Sequence, residues 1–272
     1  MTCESPSFPA RRRPAGSLPK IVLAQAGPVV PPARFALGVP DLDAVLGGGL
    51  AEARLHELWS AGPDDAASAA GFALLLALQA AGKKAAIVWI EQQGKQGRVY
   101  PPGLAELGID PSRILFVNAP DEKALLRAAG DVVRSPAAAV AVIAPAGPAH
   151  LLDLTASRRL TLFAESSGTT AILLRTTDPH GPSAATTRWR VAAAPSQALE
   201  ANAPGDSAFA LDLLRQRSGA PSYGWRLEWD RDRARFAPLS RDLAADAGGG
   251  YLAAGQSQDP PRFRGESGDR LR

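Results

Sequence analysis

The sequence predicts an α/β fold in which helices flank a central, mostly parallel sheet. Short apolar runs typical of buried strands alternate along the chain with longer stretches typical of helices. The clearest strand is 85–90, a continuous apolar run bounded by Lys84 and Glu91. Such alternation implies parallel strands joined by right-handed crossovers. Two alternating runs near the C-terminus, 208–215 and 223–230, predict a closing β-hairpin.

Each element has its own local signal. The helix at 65–82 is apolar on most faces, as in helices buried against a sheet. It follows the turn signal Gly62-Pro63, and Asp64 or Asp65 is expected to cap it. Further helices are predicted at 42–46, 103–107, 121–135 and 151–165. Further strands are predicted around 55–59 and at 113–117, 138–144, 170–174 and 188–193, with an extension of the hairpin at 234–236.

Composition sets the class of protein. The 272 residues are 46% hydrophobic, enough for a sizeable core. No apolar run reaches the roughly 20 residues that a membrane-spanning helix needs. The single cysteine, Cys3, excludes a disulfide within the chain and fits a reducing cytosol, so a cytoplasmic location is expected.

The charge is concentrated in a predicted tail. Residues 1–33 are rich in proline and residues 241–272 in glycine, proline and charge, so both are predicted to be disordered around a domain at 34–240. The first twenty residues contain Arg11, Arg12, Arg13 and Lys20 against Glu4, which accounts for the whole net charge of +3. The predicted domain is therefore near neutral, so it is not expected to bind DNA strongly by itself.

A phosphate-binding loop, G-x-x-x-x-G-K-[ST], belongs between a buried strand and a helix, which is where 62–69 lies. With Gly62 at its first position, Ala67 replaces the second glycine, Ser68 the lysine and Ala69 the hydroxyl that would hold magnesium. The degenerate loop consists of Gly62, Pro63, Asp64, Asp65, Ala66, Ala67, Ser68 and Ala69. Its two aspartates put negative charge where phosphate would have to come, so nucleotide hydrolysis is not expected.

The stretch before this loop resembles the opening of the RecA family, G-x-x-x-L-D-x-x-L-G-G-G-L. The matching residues are Gly38, Leu42, Asp43, Leu46, Gly47, Gly48, Gly49 and Leu50. Within that family the chain resembles the ImuA group, RecA-like accessory proteins of bacterial mutagenesis cassettes. That resemblance is carried by the strings at 57–59, 166–168, 171–175, 211–215 and 224–230, and the RecA-like likeness covers about 35–237.

The resemblance also locates the positions that a RecA-type ATPase needs. Gln93 falls on the catalytic glutamate, and a glutamine cannot take a proton from water. Ala144 stands where an aspartate would complete the magnesium shell, and Arg175 stands where the ATPases carry an amide. The expectation is a RecA-like fold that is not an enzyme and holds no cofactor or metal. Glu91 is the only rival base, and Arg175 is expected to be a structural ion-pair partner.

By resemblance, the expected function is an accessory or adaptor role in SOS-induced translesion DNA synthesis. The expected partners are RecA, an ImuB-type polymerase relative and an ImuC-type error-prone polymerase. The alternative is a divergent ATP-binding recombination or repair factor that uses Glu91 and Arg175. Two further alternative functions are a stand-alone DNA-binding protein and, more remotely, a cell-division inhibitor.

Contact residues for partners are less clearly marked. The loop 176–187 resembles the DNA-contacting loop of RecA in position but has no lysine or arginine, so only weak DNA contact through Arg188 and Arg190 is expected. Trp225 and Trp229 share one face of a predicted strand, where they pack against the fold or form a partner surface. Self-assembly through residues 20–34 is a further hypothesis, and the sequence leaves the oligomeric state open.

Overall fold

The strands build two sheets in a computed structural model that describes residues 31–82, 85–94, 99–107, 109–176, 181–196, 200, 205–216 and 223–239. The strands are β1 (Arg34–Phe35), β2 (Leu50–Ala51), β3 (Leu55–Ser60), β4 (Ile87–Gln92), β5 (Ile114–Ala119), β6 (Val140–Ala144), β7 (Thr170–Arg175), β8 (Thr187–Ala193), β9 (Ala208–Gln216), β10 (Tyr223–Asp230) and β11 (Arg235–Pro238). Strands β1 and β2 pair with each other, and the other nine form one sheet in the order β11-β10-β9-β8-β3-β7-β6-β4-β5.

The strand pairing within the large sheet changes from parallel to antiparallel once, at β8. From β5 to β8 every neighbouring pair is parallel, whereas β8, β9, β10 and β11 pair antiparallel. The prediction of a mostly parallel sheet closed by a C-terminal hairpin is confirmed. The predicted tails at 1–33 and 241–272 lie almost wholly outside the described residues and stay predictions.

Helices cover both faces of the parallel half. They are α1 (Pro40–Val45), α2 (Ala66–Ala81), α3 (Pro101–Glu106), α4 (Glu122–Arg134) and α5 (Leu154–Ser167). On one face, α2 packs over a core that includes Leu58, Trp89, Val142 and Leu174. On the other face, α4 and α5 cover a second core, and its members are Leu55, Val88, Ile90, Leu125, Ala129, Val133, Ala141, Ile143, Leu160, Ala164, Ala171 and Leu173 among others. Because successive strand residues alternate between the two cores, each strand is buried on both faces.

Side-chain caps fix where two helices begin. Asp121 accepts a hydrogen bond from the N–H of Ala124 at 2.7 Å, and Asp153 accepts one from Ala156 at 2.8 Å. The second cap starts α5 at Leu154, three residues later than predicted. Asp153 has the extended backbone of an N-cap residue, so the helix begins at the next residue. Gly168, with φ of 85°, ends that helix where a left-handed residue is needed.

The predicted cap of α2 is confirmed in position, but the expected side-chain hydrogen bond is not formed. Asp65 occupies the N-cap, yet its carboxylate makes no bond to the helix. Instead it accepts a hydrogen bond from the N–H of Ala193, at the end of β8, at 2.8 Å. The strand predicted at 85–90 lies at 87–92, two residues later, because the register with β6 extends to Glu91. Within the described residues, no helix combines the length and the apolar character needed to cross a bilayer.

The glycine-rich motif before the loop has a structural role. Asp43 accepts hydrogen bonds from the N–H groups of Leu37 at 2.8 Å and Gly38 at 3.0 Å. Arg34 donates to the carbonyl of Gly49 at 2.8 Å, which ties β1 to the turn. Gly49 has φ of 118°, and a Cβ there would lie 2.2 Å from the carbonyl oxygen of Phe35. Only glycine fits this turn, so the motif fixes the entry of the chain into β3.

Candidate functional site

A cleft of about 880 Å³ opens at the carboxyl ends of β4, β6 and β7, between α2 and α3. This is where ligands bind in open parallel sheets. Its floor contains Trp89 and Leu174, and the turn before α2 forms one end. The described lining residues include two acids, Asp64 and Glu91, and no lysine, arginine or histidine. The predicted degenerate phosphate loop thus borders this cleft, and the described lining offers no cation to attract phosphate.

The turn after β3 is short and closed. Residues Pro63–Asp65 form a single 3₁₀ turn, and α2 begins at Ala66. The N–H of Asp65 donates to the carbonyl of Gly62 at 3.1 Å, so the turn is satisfied internally. Asp64 is exposed, and Ala69, at the position of the metal-binding hydroxyl, is fully buried. The turn therefore carries the exposed carboxylate of Asp64, and no lysine lies within 62–69.

Gln93, Ala144 and Glu91, which the resemblance to ATPases singled out, line the same cleft. Gln93 is exposed just after β4, and Ala144 ends β6 opposite Glu91. The indole of Trp89 donates to a carboxylate oxygen of Glu91 at 3.3 Å. The structure thus brings Gln93, Ala144 and Glu91 to the cleft that the degenerate loop borders, whereas Arg175 does not line it. Within the described residues, no group of three or more side chains is arranged to hold a metal ion.

Arg175 lies on the opposite face of the sheet, in a buried ionic cluster that we call the Glu57 cluster: Glu57, Arg175 and Arg188. The Nε of Arg188 donates to Oε2 of Glu57 at 2.7 Å. The Nε of Arg175 lies 2.8 Å from Oε1 of Glu57, an ion pair without the alignment of a hydrogen bond. The Glu57 side chain is fully buried, and each arginine side chain is 12% exposed. Arg175 is therefore a structural ion-pair partner, as predicted.

The indole of Trp59 completes this cluster. The guanidinium carbons of Arg175 and Arg188 lie 5.1 and 5.6 Å from the centre of its ring, within the range of cation–π attraction. Burial lowers the pKa of Arg175, and the charge of Glu57 partly offsets that effect. Glu91 shares the cleft face with Trp89, whereas Arg175 shares the other face with Leu173. The two residues that the alternative ATPase would need are therefore on opposite sides of the sheet.

His56 forms a second buried polar network beside this cluster. One ring nitrogen lies 2.8 Å from the carbonyl of Ala51 and the other lies 2.8 Å from the hydroxyl of Thr187. A carbonyl can only accept, so Nε2 carries the proton and Nδ1 accepts from Thr187, whose oxygen accepts from the indole of Trp189 at 2.8 Å. Burial lowers the pKa of His56 to about 4, so the ring is neutral near pH 7.

The predicted contact residues differ in accessibility. The guanidinium of Arg188 is committed to Glu57, which does not support a DNA contact there. Arg190 is exposed and forms an ion pair with Asp212 at 2.8 Å. Trp229 is 1% exposed and donates to the carbonyl of Leu107, so it packs in the core and presents no partner surface. Trp225 is half-buried, stacked 5.7 Å from the exposed ring of Tyr223.

Sequence reasoning missed the Glu57 cluster as a unit. The available signal was a charged residue inside an apolar strand, together with arginines at the ends of two strands that would neighbour it. Buried carboxylates need partners, so Glu57 could have been assigned to those arginines once the strand order was known. The tail residue Cys3, the arginines at 11–13 and His180 lie outside the described residues.

These features define a class: an α/β protein of RecA-like fold, with a cleft at the carboxyl ends of its parallel strands. The crystal structure of the RadB recombinase matches it with a TM-score of 0.52 at 15% identity, covering 76% of this chain and all of that one, which shows the shared fold. No model of a protein family matches the chain. Protein ImuA from Caulobacter vibrioides is 32% identical over 220 residues in two strains, covering 75% of this chain and 86% of the relative. The chain belongs to the ImuA family.

Proposed function

We propose that the chain is a non-catalytic, RecA-like accessory protein in SOS-induced translesion DNA synthesis. Membership of the ImuA family and the RecA-like fold support a protein related to DNA repair. The observation that carries the non-catalytic part is the described lining of the cleft, which has two carboxylates and no cation. The protein acts by contact with other proteins rather than by turnover.

The charges of a nucleotide and of the cleft oppose each other. A bound triphosphate carries several negative charges, and enzymes that transfer its γ-phosphoryl group neutralise them with a lysine and magnesium. Here Ser68 replaces the lysine, Ala69 replaces the magnesium-binding hydroxyl and Ala144 replaces the carboxylate. Asp64 adds a negative charge at the end of the cleft, where it would repel the phosphates. All these substitutions weaken nucleotide binding.

The proposed partners follow from the family resemblance: RecA, an ImuB-type polymerase relative and an ImuC-type polymerase, in the cytoplasm. Such an adaptor needs an intact scaffold and accessible surfaces, and no ATP cycle. Direct contact with DNA would be weak, because Arg188 is committed to Glu57 and the remaining exposed arginine of this strand, Arg190, is paired with Asp212.

The test is genetic and biochemical. In a host that lacks its own copy, the wild-type gene should restore damage-induced mutagenesis, and Asp64→Ala should restore it equally because no catalysis depends on that turn. Purified wild-type protein should capture RecA or the ImuB-type protein without nucleotide. Absence of binding to both, or complementation that is lost when ATP binding is blocked, would exclude this proposal and favour an ATP-binding recombination factor.

A further inference from the structure

We propose that the Glu57 cluster is a conformational device that couples two surface connections of the fold negatively, so that loosening one connection tightens the other. The first connection, 145–153, joins β6 to α5, and the second, 181–186, is the described part of the connection between β7 and β8. The cluster lies on the opposite face of the sheet from the cleft, so the device does not depend on the proposed loss of nucleotide binding.

The first connection is attached to the cluster through Arg175. The Nη2 of Arg175 donates to the carbonyl of Leu152, while its Nε lies 2.8 Å from Oε1 of Glu57. The N–H groups of Leu151 and Leu152 donate to one oxygen of Glu122, at 2.6 and 3.3 Å. A single arginine therefore links the end of this connection to the buried carboxylate.

The second connection is attached to the cluster through Arg188. The Nε of Arg188 donates to Oε2 of Glu57 at 2.7 Å, and its Nη2 donates to the carbonyl of Gly181 at 3.0 Å. At the other end of this connection, the N–H of Thr186 donates to the carbonyl of Leu55 at 2.8 Å. Each connection is thus held by one arginine, and both arginines share one carboxylate.

Two cations that share one buried anion compete for it. Burial lowers the pKa of Arg175, Glu57 opposes that effect, and the like charge of Arg188 adds to it. Loss of either arginine leaves a one-to-one pair, in which the remaining arginine has Glu57 to itself and no like charge beside it. Glu122 also acts on Arg175, but it is bonded to the first connection. The remaining connection is therefore held more tightly than before.

A competing path between the two connections runs through α5. The Oγ of Ser157 accepts a hydrogen bond from the N–H of Ala184 at 3.1 Å, and the hydroxyl of Thr161 donates to the carbonyl of Ala184 at 3.3 Å. Because α5 directly follows the first connection, this path would make the two connections loosen together. The sign of the coupling therefore distinguishes the ionic cluster from the helix.

Both connections can be reached from solvent. Leu151 in the first is 50% exposed, and Gly181 in the second is exposed. A partner that displaces one connection would therefore tighten the other, and the effect is reciprocal because coupling between two equilibria is the same in both directions. The fold would then resist displacement of both connections at once.

Hydrogen exchange of single amides in the full chain tests the coupling. In Arg175→Gln, exchange should become faster at Leu151 and Leu152 and at least about fivefold slower at Ala184 and Thr186, the lower end of ordinary coupling between sites. Arg188→Gln should give the mirror image. Glu57→Gln should speed exchange in both connections, because neither arginine then keeps a negative partner.

Two further variants separate the shared charge from other effects. Arg190 lies on the same face of β8 as Arg188 but pairs with Asp212 at 2.8 Å, so Arg190→Gln should leave both connections unchanged. Arg175→Lys keeps the positive charge, so exchange in the second connection should stay near the wild-type rate. Amides of α2, on the other face, report any global loss of stability, and a thermal melt shows that each variant is folded.

The outcomes are distinct. Slower exchange in the opposite connection, seen in Arg175→Gln or in Arg188→Gln and absent from Arg190→Gln, supports the proposal. Faster exchange in both connections of either arginine variant would show that the path through α5 dominates and would overturn it, as would no change in the opposite connection. The slowing should also persist when Arg175→Gln is combined with Ser157→Ala, and its disappearance there would likewise exclude the cluster as the coupling element.

Discussion

The cleft and the Glu57 cluster lie on opposite faces of one sheet and differ in the charged side chains that they contain. In the cleft, the positions that would handle phosphate and magnesium are alanine, serine and glutamine. In the cluster, a fully buried carboxylate is held between two arginines. The fold therefore holds buried charge where β3, β7 and β8 meet, while the described lining of the cleft contains two acids and no basic residue.

The Glu57 cluster is a buried ionic site within the same sheet that borders the cleft. Its presence shows that the interior of this fold can hold charged side chains. A buried charge is costly unless it is paired, and here Glu57 pairs with both arginines. The absence of cations from the described lining of the cleft is then a property of the site, and not of the fold.

The largest effect is expected from Glu57→Gln. This change leaves two largely buried arginines without a negative partner, and breaking a buried pair in this way costs about 3–5 kcal/mol. Unfolding in urea, followed by circular dichroism, measures the loss. Asp131→Ala, which removes the exposed ion pair with Arg134, is the control and should change stability little.

A sharper version replaces the whole cluster. The combination of Glu57→Leu, Arg175→Met and Arg188→Met removes all three charges at similar volume, and should recover most of the stability lost in Glu57→Gln. Recovery would show that the cost lies in unpaired charge. If the triple variant is no more stable than Glu57→Gln, the charges contribute something beyond mutual neutralisation.

The next effect concerns pH. His56 has a pKa of about 4 in the folded chain and about 6.5 when unfolded, so the unfolded state binds the proton first as the pH falls. Its contribution to stability is full above about pH 6.5 and is lost progressively towards pH 4. Between about pH 7.5 and about pH 5 this should cost about 2 kcal/mol.

Urea unfolding across that range tests the sign. His56→Gln should start less stable, because it loses part of the network with Thr187 and Ala51, but its stability should vary less with pH. His150→Ala, at an exposed position, should keep the wild-type slope. A wild-type protein that gains stability towards pH 5 would contradict the assignment of a buried neutral ring.

The smallest effect distinguishes the two aspartates of the turn. Asp65 bonds to the backbone of Ala193, so Asp65→Ala should cost about 1 kcal/mol by loss of one partly exposed hydrogen bond. Asp64 is exposed, and Asp64→Ala should leave stability within about 0.5 kcal/mol of wild type. Thermal melts compare the two variants; equal losses would mean that Asp65 does not tie the turn to β8.

Much of the fold could be predicted because strand burial and helix periodicity are local signals. The apolar run at 170–174 and the alternation at 223–230 each became a strand with nearly the predicted bounds. The start of α5 was less predictable, since Leu151 and Leu154 look like core residues but are 50% and 45% exposed. Asp153, the N-cap residue of α5, determines where this helix begins.

The site was predictable in part. The turn at 62–69 could be placed because it follows a recognisable strand and glycine motif, and Gln93 and Ala144 could be placed by resemblance. The Glu57 cluster could not, because it depends on which strands become neighbours of β3, and that order is a property of the whole sheet. The actual role of Asp65 likewise depends on β8, which is 128 residues further along the chain.

The central claim is that the cleft does not take a triphosphate nucleotide. Isothermal titration of the full chain with Mg-ATP, at nucleotide concentrations up to about 1 mM, tests it most directly, since a Kd of 1 mM corresponds to only about 4 kcal/mol of binding free energy. We predict no saturable heat. Saturable micromolar binding that is lost in Ala67→Trp, at the lining of the cleft, and kept in Leu162→Trp, at an exposed position of α5 on the other face of the sheet, would contradict the account.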